Sequence, residues 1–322
     1  MIVATVLAFD LALTSSISGI NDLLYFASKL NAQSAGDTDF RIQIASPGGK
    51  PVRTLNNLVF PVHCAIEEVE HSDVYLVPTI TGNVEQVLDK NPLVVETLRH
   101  AGATNSLIGG NSSGVFFLAE AGLLDHKSAT THWTMVDLFR HLYPLVDLKP
   151  DQPITQDGNI LCDCGGQAWF DLGLYLVELF FGHDIAMNLA KFFVIDIGRS
   201  TQLTYSPLIS KKYHKDKGIM AIQNWLEEHY CSTIMIDQIG EQFGFSNRTM
   251  LRRFKQATGA TPSQYLQEIR LDAATKLLVQ SNKSIQEITH AIGYEDISSF
   301  TRLFKRKSGL SPSHYRARFK PI

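Results

Sequence analysis

The sequence predicts two units of different class. Residues 1–200 read as a three-layer α/β unit with a mostly parallel sheet, and residues 219–322 as an all-α unit with two helix-turn-helix motifs; 201–218 reads as a linker. Three observations lead there. Apolar strand-like runs alternate with helical runs through the first part. One helix-turn-helix pattern is written twice in the last part. The charge changes sign between the two. A chain of 322 residues has room for two domains of ordinary size.

The first unit opens with Ile2–Ala8, an apolar run read as a buried strand, followed by a helical stretch at Ile17–Leu30. Arg41–Ser46 and Val74–Pro78 read as further strands, and Asn91–Ala101 as a helix. Thr104–Ile108 is a short apolar strand, and Val115–Leu124 is the helix after it. Gln167–Phe181 and Asp184–Val194 are two helices that close the unit.

Gly110-Asn111-Ser112-Ser113-Gly114 fits G-x-S-x-G between a strand and a helix. Glycines on both sides let a strained turn expose the central side chain, and the following helix N-terminus stabilises negative charge. One reading is a Ser hydrolase with His132, His141 or His183 as base. The other is a glycine-rich turn serving at most as a binding site, since such turns often hold ligands without reacting with them. The second is favoured, because the spacing singles out no base and no acid.

The run Ser113-Gly114-Val115-Phe116-Phe117-Leu118-Ala119-Glu120-Ala121-Gly122-Leu123-Leu124-Asp125, with Ala129-Thr130-Thr131-His132-Trp133 after it, resembles the class I glutamine amidotransferase-like (PfpI-type) domain. More narrowly, it resembles the version fused to bacterial regulators. Asp157-Gly158-Asn159-Ile160 and Gly165-Gly166-Gln167-Ala168 continue the match, which covers nearly all of 1–200. The resemblance implies a flavodoxin-like fold. In catalytic relatives it implies a Cys at the elbow and an acidic residue after the first strand. Here Ser112 holds the elbow, and only Asp10 offers a distant carboxylate. A hydroxyl without a close base is a far weaker nucleophile than a thiolate. The expectation is a pocket that kept its shape and lost its reaction. Its walls would be Thr14, Thr79, the Ile80-Thr81-Gly82 turn, Ser112, Ser113 and His132.

Composition narrows the classes. Hydrophobic residues make up 44% and charged residues 19%, the proportions of a globular chain. No apolar run reaches the roughly 18–20 residues of a membrane-spanning helix, so no membrane partner is expected. The N-terminus lacks a basic start and reads as a strand rather than a signal peptide, which points to the cytoplasm. Of four cysteines, Cys162 and Cys164 stand one residue apart, but no second Cys/His pair has zinc-ligand spacing. Reduced thiols are expected, with no metal and no cofactor. The net charge of −3 hides an asymmetry: residues 219–322 carry 14 Lys and Arg against 9 Asp and Glu, and 1–218 carry 15 against 23. That fits a phosphate-backbone partner for the C-terminal unit alone.

In the expected linker the apolar periodicity fades and polarity rises. Ile219–Tyr230 follows, an amphipathic helix with Ile222, Trp225 and Leu226 on one stripe. Then Ile236-x-x-Ile239-x-x-x-Phe243-Gly244-Phe245 recurs as Ile285-x-x-Ile288-x-x-x-Ile292-Gly293-Tyr294, 49 positions on. Phe254-x4-Gly259-x2-Pro262-x2-Tyr265 recurs as Phe304-x4-Gly309-x2-Pro312-x2-Tyr315, 50 positions on. Each copy is a short helix, a Gly-centred turn and a second, basic helix. Gly244 supplies a positive-φ position, and Ser246 is an N-cap. Met250 and Phe254 face the core, which puts Arg248, Arg252 and Lys255 opposite; Phe300 and Phe304 do the same for Ser298, Arg302 and Lys305. Thr261-Pro262 starts a connecting helix to about Val279, and about 17 residues make a rod of about 25 Å. Such a rod can hold two recognition helices near the roughly 34 Å repeat of successive major grooves.

This arrangement resembles the DNA-binding domain of the AraC/XylS family of transcription regulators over about 219–319, most diagnostically in Gly309-Leu310-Ser311-Pro312-Ser313 through Tyr315-Arg316. The resemblance implies base reading by Arg248, Leu251 and Arg252 in the first copy and by Ser298, Ser299 and Arg302 in the second. Leu251 can contact only a thymine methyl. Lys255, Lys305, Arg306 and Lys307 are placed for phosphates. Arg253 also lies on the first reading helix, so that copy is expected to be the more charge-driven. The whole reads as a regulator of double-stranded promoter DNA, with RNA polymerase as a further partner. The first unit would dimerise and sense a small-molecule effector; such relatives often sense amines or amino-acid derivatives. The alternative is an enzyme–regulator hybrid with a Ser112-dependent amidase or esterase.

Overall fold

The computed structural model describes residues 1–33, 40–195 and 216–320, and its contacts divide the chain into two compact units, Met1–Gln202 and Leu203–Ile322. Most of the expected linker, 201–215, lies outside the described residues. Its last residues belong to a helix, because Asp216 N-caps a helix that starts at Lys217.

The first unit contains strands β1 (Ile2–Leu7), β2 (Phe40–Ser46), β3 (Val52–Arg53), β4 (Val59–Phe60), β5 (Cys64–Ala65), β6 (Val74–Val77), β7 (Leu107–Asn111), β8 (Ser128–Ala129), β9 (Asp147–Leu148), β10 (Ile154–Asp157) and β11 (Ile160–Asp163). Its helices are α1 (Thr14–Gln33), α2 (Val84–Lys90), α3 (Pro92–Gly102), α4 (Val115–Glu120), α5 (Val136–Leu142), α6 (Ala168–Phe181) and α7 (His183–Phe192). The main sheet runs β10-β11-β7-β6-β1-β2-β5. Every pair in it is parallel except the β10–β11 hairpin. From β1 the chain goes to β2 on one side and later to β6 on the other, so the order reverses at β1. Helices α1, α6 and α7 pack together in one layer, and α2, α3 and α4 in another. The result is the flavodoxin-like three-layer unit. Its central strands β1 and β6 are buried on both faces along most of their length, so they read as nearly continuous apolar runs rather than as alternation.

Boundaries moved where side chains compete with the ladder. The strand expected at Thr104–Ile108 is Leu107–Asn111 instead. Thr104 donates its hydroxyl to Ala101 at 2.7 Å and Ser106 donates to Ser72 at 2.7 Å, so this stretch closes α3. The pair Gly109-Gly110 joins the strand beside Leu161 and Cys162. Helix α4 ends at Glu120, well before the expected Leu124, and Gly122 turns the chain at φ +76°.

The second unit is helical: α8 (Lys217–His229), α9 (Ile236–Gln242), α10 (Asn247–Thr258), α11 (Pro262–Gln280), α12 (Ile285–Ala291), α13 (Ile297–Ser308) and α14 (Pro312–Phe319). It holds two cores. Met250 and Phe254 anchor the first, Phe300 and Phe304 the second, all fully buried. Helix α11 serves both: Tyr265, Leu266 and Ile269 enter the first core, and Leu271, Ala274 and Leu278 the second. The repeat is equally regular at its ends. Gly244 and Gly293 take φ of +74° and +81°, and Gly259 and Gly309 cap α10 and α13 in the left-handed conformation. Thr261 and Ser311 cap helices that start with Pro262 and Pro312.

Candidate functional site

Strand β7 delivers Ser112 to a strained turn. Its φ is +58°, in the left-handed region that a Cβ disfavours. Of the flanking glycines, Gly114 is sterically required and Gly110 is tightly packed. A Cβ on Gly114 would fall 2.5 Å from the Pro78 carbonyl oxygen, and one on Gly110 would fall 3.1 Å from Val115. The turn is therefore wedged against the end of β6.

A buried polar network holds it there. Asn111 donates from Nδ2 to both oxygens of Asp163, at 2.7 and 2.8 Å, and Thr79 donates its hydroxyl to Asn111. Gly165 N–H donates to Asp163 at 2.7 Å, and Ser112 N–H faces the same carboxyl. Asp163 is fully buried, and that burial pushes its pKa up to about 7 against the pull of these donors. Ser112 accepts at its carbonyl from Thr131 at 2.8 Å, and the Gly165 backbone roofs its hydroxyl.

The five residues expected to wall a pocket divide. Ser112 sits at the elbow, and Thr14 opens α1, half-buried. Ser113 needs correction: its hydroxyl donates to the Ile80 carbonyl at 2.7 Å and the residue is buried, so it braces the turn. Thr79 is likewise spent on Asn111. His132 caps the short turn Trp133–Met135, with Nδ1 2.7 Å from the Thr134 hydroxyl; burial holds its pKa below the usual histidine range. Among the described residues no imidazole or carboxylate hydrogen-bonds the Ser112 hydroxyl. His183 bonds Glu178 at 3.0 Å on an exposed face, and Asp10 accepts from Arg53 N–H at 2.8 Å. Cys162 and Cys164 lie buried at the end of β11, and burial pushes the Cys162 thiol up to about 12. The crevice between the β1 and β6 loops is laced by backbone bonds, Leu13 N–H to Thr79 and Thr81 N–H to Leu11, at 2.9 and 2.8 Å.

In the second unit, Arg248, Leu251, Arg252 and Lys255 are exposed on α10, and Ser298, Ser299, Arg302, Lys305 and Arg306 on α13. Arg302 lies 3.4 Å from the Ser299 hydroxyl, which it can reach as a donor. Lys307 lies 3.8 Å from Glu268. Arg253 departs from the expectation. Three residues on from Met250, it lies on the flank of the buried stripe and turns toward α8. Its guanidinium donates to both oxygens of Asp216, at 2.7 to 3.0 Å, and sits 4.7 Å over the Phe245 ring. It is an internal clamp. Without it α10 offers three exposed cations and α13 also offers three, so cation number does not distinguish the copies.

Sequence reasoning also missed Asp296, which N-caps α13 through Ser298 and Ser299 N–H, at 3.2 and 2.7 Å. The signal was present, since Asp296 stands 50 positions after Ser246, the cap of α10.

Known proteins match both units. A DJ-1/PfpI family model matches residues 20–179, and a helix-turn-helix domain model matches 239–318. The HTH-type transcriptional regulator CdhR of Pseudomonas aeruginosa is 29% identical over 280 residues, covering 86% of this chain and 82% of its own. The regulator GlxA of Rhizobium meliloti is 26% identical over 285 residues, covering 88% and 87%. Among solved structures, a transcriptional regulator protein from Vibrio parahaemolyticus matches with TM-score 0.54 and 23% identity, over 60% of this chain and 98% of that one. An AraC family transcriptional regulator from Pseudomonas putida matches with TM-score 0.52 and 20% identity, over 60% and 100%. Those two likenesses speak for the fold of the first unit. With both family models and the duplicated, capped repeat, the chain belongs to the AraC-type transcription regulators that carry an N-terminal DJ-1/PfpI-type domain.

Proposed function

We propose that this regulator binds promoter DNA through α10 and α13 and is controlled by a small molecule held in a first unit that performs no reaction. The observation that carries the first half is the pair of matching helices, each presenting a row of exposed cations over a fully buried aromatic anchor. Arg252 and Arg302 suit bidentate pairing with guanine, Arg248 and Ser298 flank them, and Lys255, Lys305 and Arg306 suit phosphates. The second half is supported by the Ser112 hydroxyl, which among the described residues is hydrogen-bonded by no imidazole and no carboxylate; the nearby Asp163 carboxyl is taken up by the Asn111 side chain and by backbone N–H groups. By resemblance the effector is an amine or amino-acid derivative. The chain works in the cytoplasm as a homodimer through its first unit, with RNA polymerase as a downstream partner.

Binding to a panel of operators at several salt concentrations tests the DNA half. Arg252→Ala and Arg302→Ala should each cost about 1–3 kcal/mol and relax selectivity at one base position. Equal weakening on every DNA would count against it. A second reading keeps Ser112 as a nucleophile, favoured by its strained elbow geometry. Turnover of acyl or amide substrates that disappears in Ser112→Ala would establish that reading and remove the sensor-only one.

A further inference from the structure

We infer that the first unit has an anion-binding cleft away from the Ser112 elbow, shaped for a small organic molecule that carries carboxylate or phosphate charge. The inference rests on the small-molecule reading above and gives it a place and a chemistry. The cleft encloses about 400 Å³, within the roughly 300–1,000 Å³ of ordinary ligand sites. None of Thr14, Thr79, Ser112, Ser113 and His132 lines it.

Its construction is local and specific. Strand β2 leaves the sheet through Pro47-Gly48-Gly49, with both glycines at positive φ and Ser46 donating to the Lys50 carbonyl at 2.6 Å. The β3–β4 hairpin then folds across the end of β1. Leu11 N–H donates to the Arg53 carbonyl, and Arg53 N–H donates to Asp10, both at 2.8 Å. These bonds fix the backbone and leave the Arg53 guanidinium free. Phe9, Val52 and Val87 give the cleft an apolar, buried floor.

Lys50 and Arg53 line the cleft from one stretch, the approach to β3 and β3 itself, and Lys90 from the end of α2; Asp10 is the one carboxylate among its lining residues. All three cations are exposed, and among the described residues none is ion-paired. Three unpaired cations around a cleft attract an anion and raise its local concentration. The apolar floor favours an organic body over a bare ion. Asp10 keeps one oxygen free, so an amino group beside the carboxylate is tolerated, whereas an amine without an anionic group meets net repulsion.

The test is calorimetric titration of the full chain with glutarate, inorganic phosphate, the neutral glutaramide and the cation putrescine. Glutarate should bind and glutaramide should not; phosphate binding as tightly as glutarate would remove the organic body from the proposal. Arg53→Gln with Lys90→Gln should weaken glutarate by at least about tenfold, while Ser112→Ala leaves it unchanged. Both cations are exposed and unpaired, so folding is not at stake, and the thermal midpoint checks that directly. The cleft is overturned if no anion binds, if glutaramide or putrescine binds as well as glutarate, or if the double variant binds normally. Loss of glutarate in Ser112→Ala alone would also overturn it, while keeping the sensor reading and moving the site to the elbow. Binding with the expected variant pattern but no effect on operator affinity would support the cleft and count only against its role as the effector site.

Discussion

Replacing Arg253 by Ala separates internal from DNA-facing charge. The change removes three charge-assisted hydrogen bonds to Asp216 and a cation–aromatic contact with Phe245. The pair is bidentate, with side chains 37% and 22% exposed. We therefore place its value above that of a surface ion pair, at about 1–2 kcal/mol. Asp216 also caps α8 through Gly218 and Ile219 N–H, at 3.1 and 3.2 Å, so the loss should be felt in α8 and α10 together. Hydrogen exchange on the full chain reads this: amides of both helices should exchange roughly 5–30-fold faster. Arg252→Ala, one residue earlier, should leave exchange alone and lower the salt slope of DNA binding by about one unit. Acid should erase the Arg253 effect. Burial pushes the Asp216 carboxyl up, but Arg253 and the two N–H groups outweigh it and hold it below the usual carboxylate range. Such a group stabilises above its unfolded pKa, and that stability is lost as pH falls through the folded value. If Arg253→Ala lowered the salt slope as Arg252→Ala does and left α8 exchange unchanged, the clamp would be wrong.

Three further outcomes are expected. Gly114→Ala should destabilise the first unit by roughly 3 kcal/mol or more, read as urea unfolding, because the new Cβ meets carbonyl oxygens of Pro78 and Val77 at 2.5 and 2.7 Å. The first unit should lose thermal stability as pH rises from the usual carboxylate range toward about 7, since the folded Asp163 binds a proton that the unfolded one releases. Asp163→Asn should flatten that slope. Lys255→Ala and Lys305→Ala should weaken binding evenly across operators and each lower the salt slope by about one unit.

Local chemistry was the legible part of the sequence. Gly244, Ser246, Thr261 and Pro262 act within a few residues of themselves, so their roles follow from spacing, and a second copy 49–50 residues on repeats them. The parallel strands β1, β2 and β6 were equally readable, whereas β7 was placed three residues early and β11 was not read as a strand. Less visible were β3, β4, β5, β8 and β9, each two residues long, too short to carry a period. The Asp157-Gly158-Asn159 turn of the β10–β11 hairpin did carry a hairpin signal, with Gly158 at φ +61°. At the elbow the motif predicted the turn but not the fate of its hydroxyls. Ser113 to Ile80, Thr79 to Asn111 and Asn111 to Asp163 span 32 to 52 positions, and no local pattern announces such bonds. Arg253 is the same case, joined to Asp216 across 37 positions.

Helix α11 has no joint. One uninterrupted rod of 19 residues is built into both cores, so α10 and α13 are packed against different ends of the same shaft. A residue inserted near its middle would turn one end by about 100° and advance it about 1.5 Å relative to the other. With α10 and α13 both on DNA, as proposed, the unit would act as a gauge of set length and phase. A base pair added between the two contacted DNA segments rotates one of them by roughly 35°. The shaft cannot follow, so the DNA must supply the bend or twist, and promoters with compliant steps in that interval would be the ones that tolerate the change.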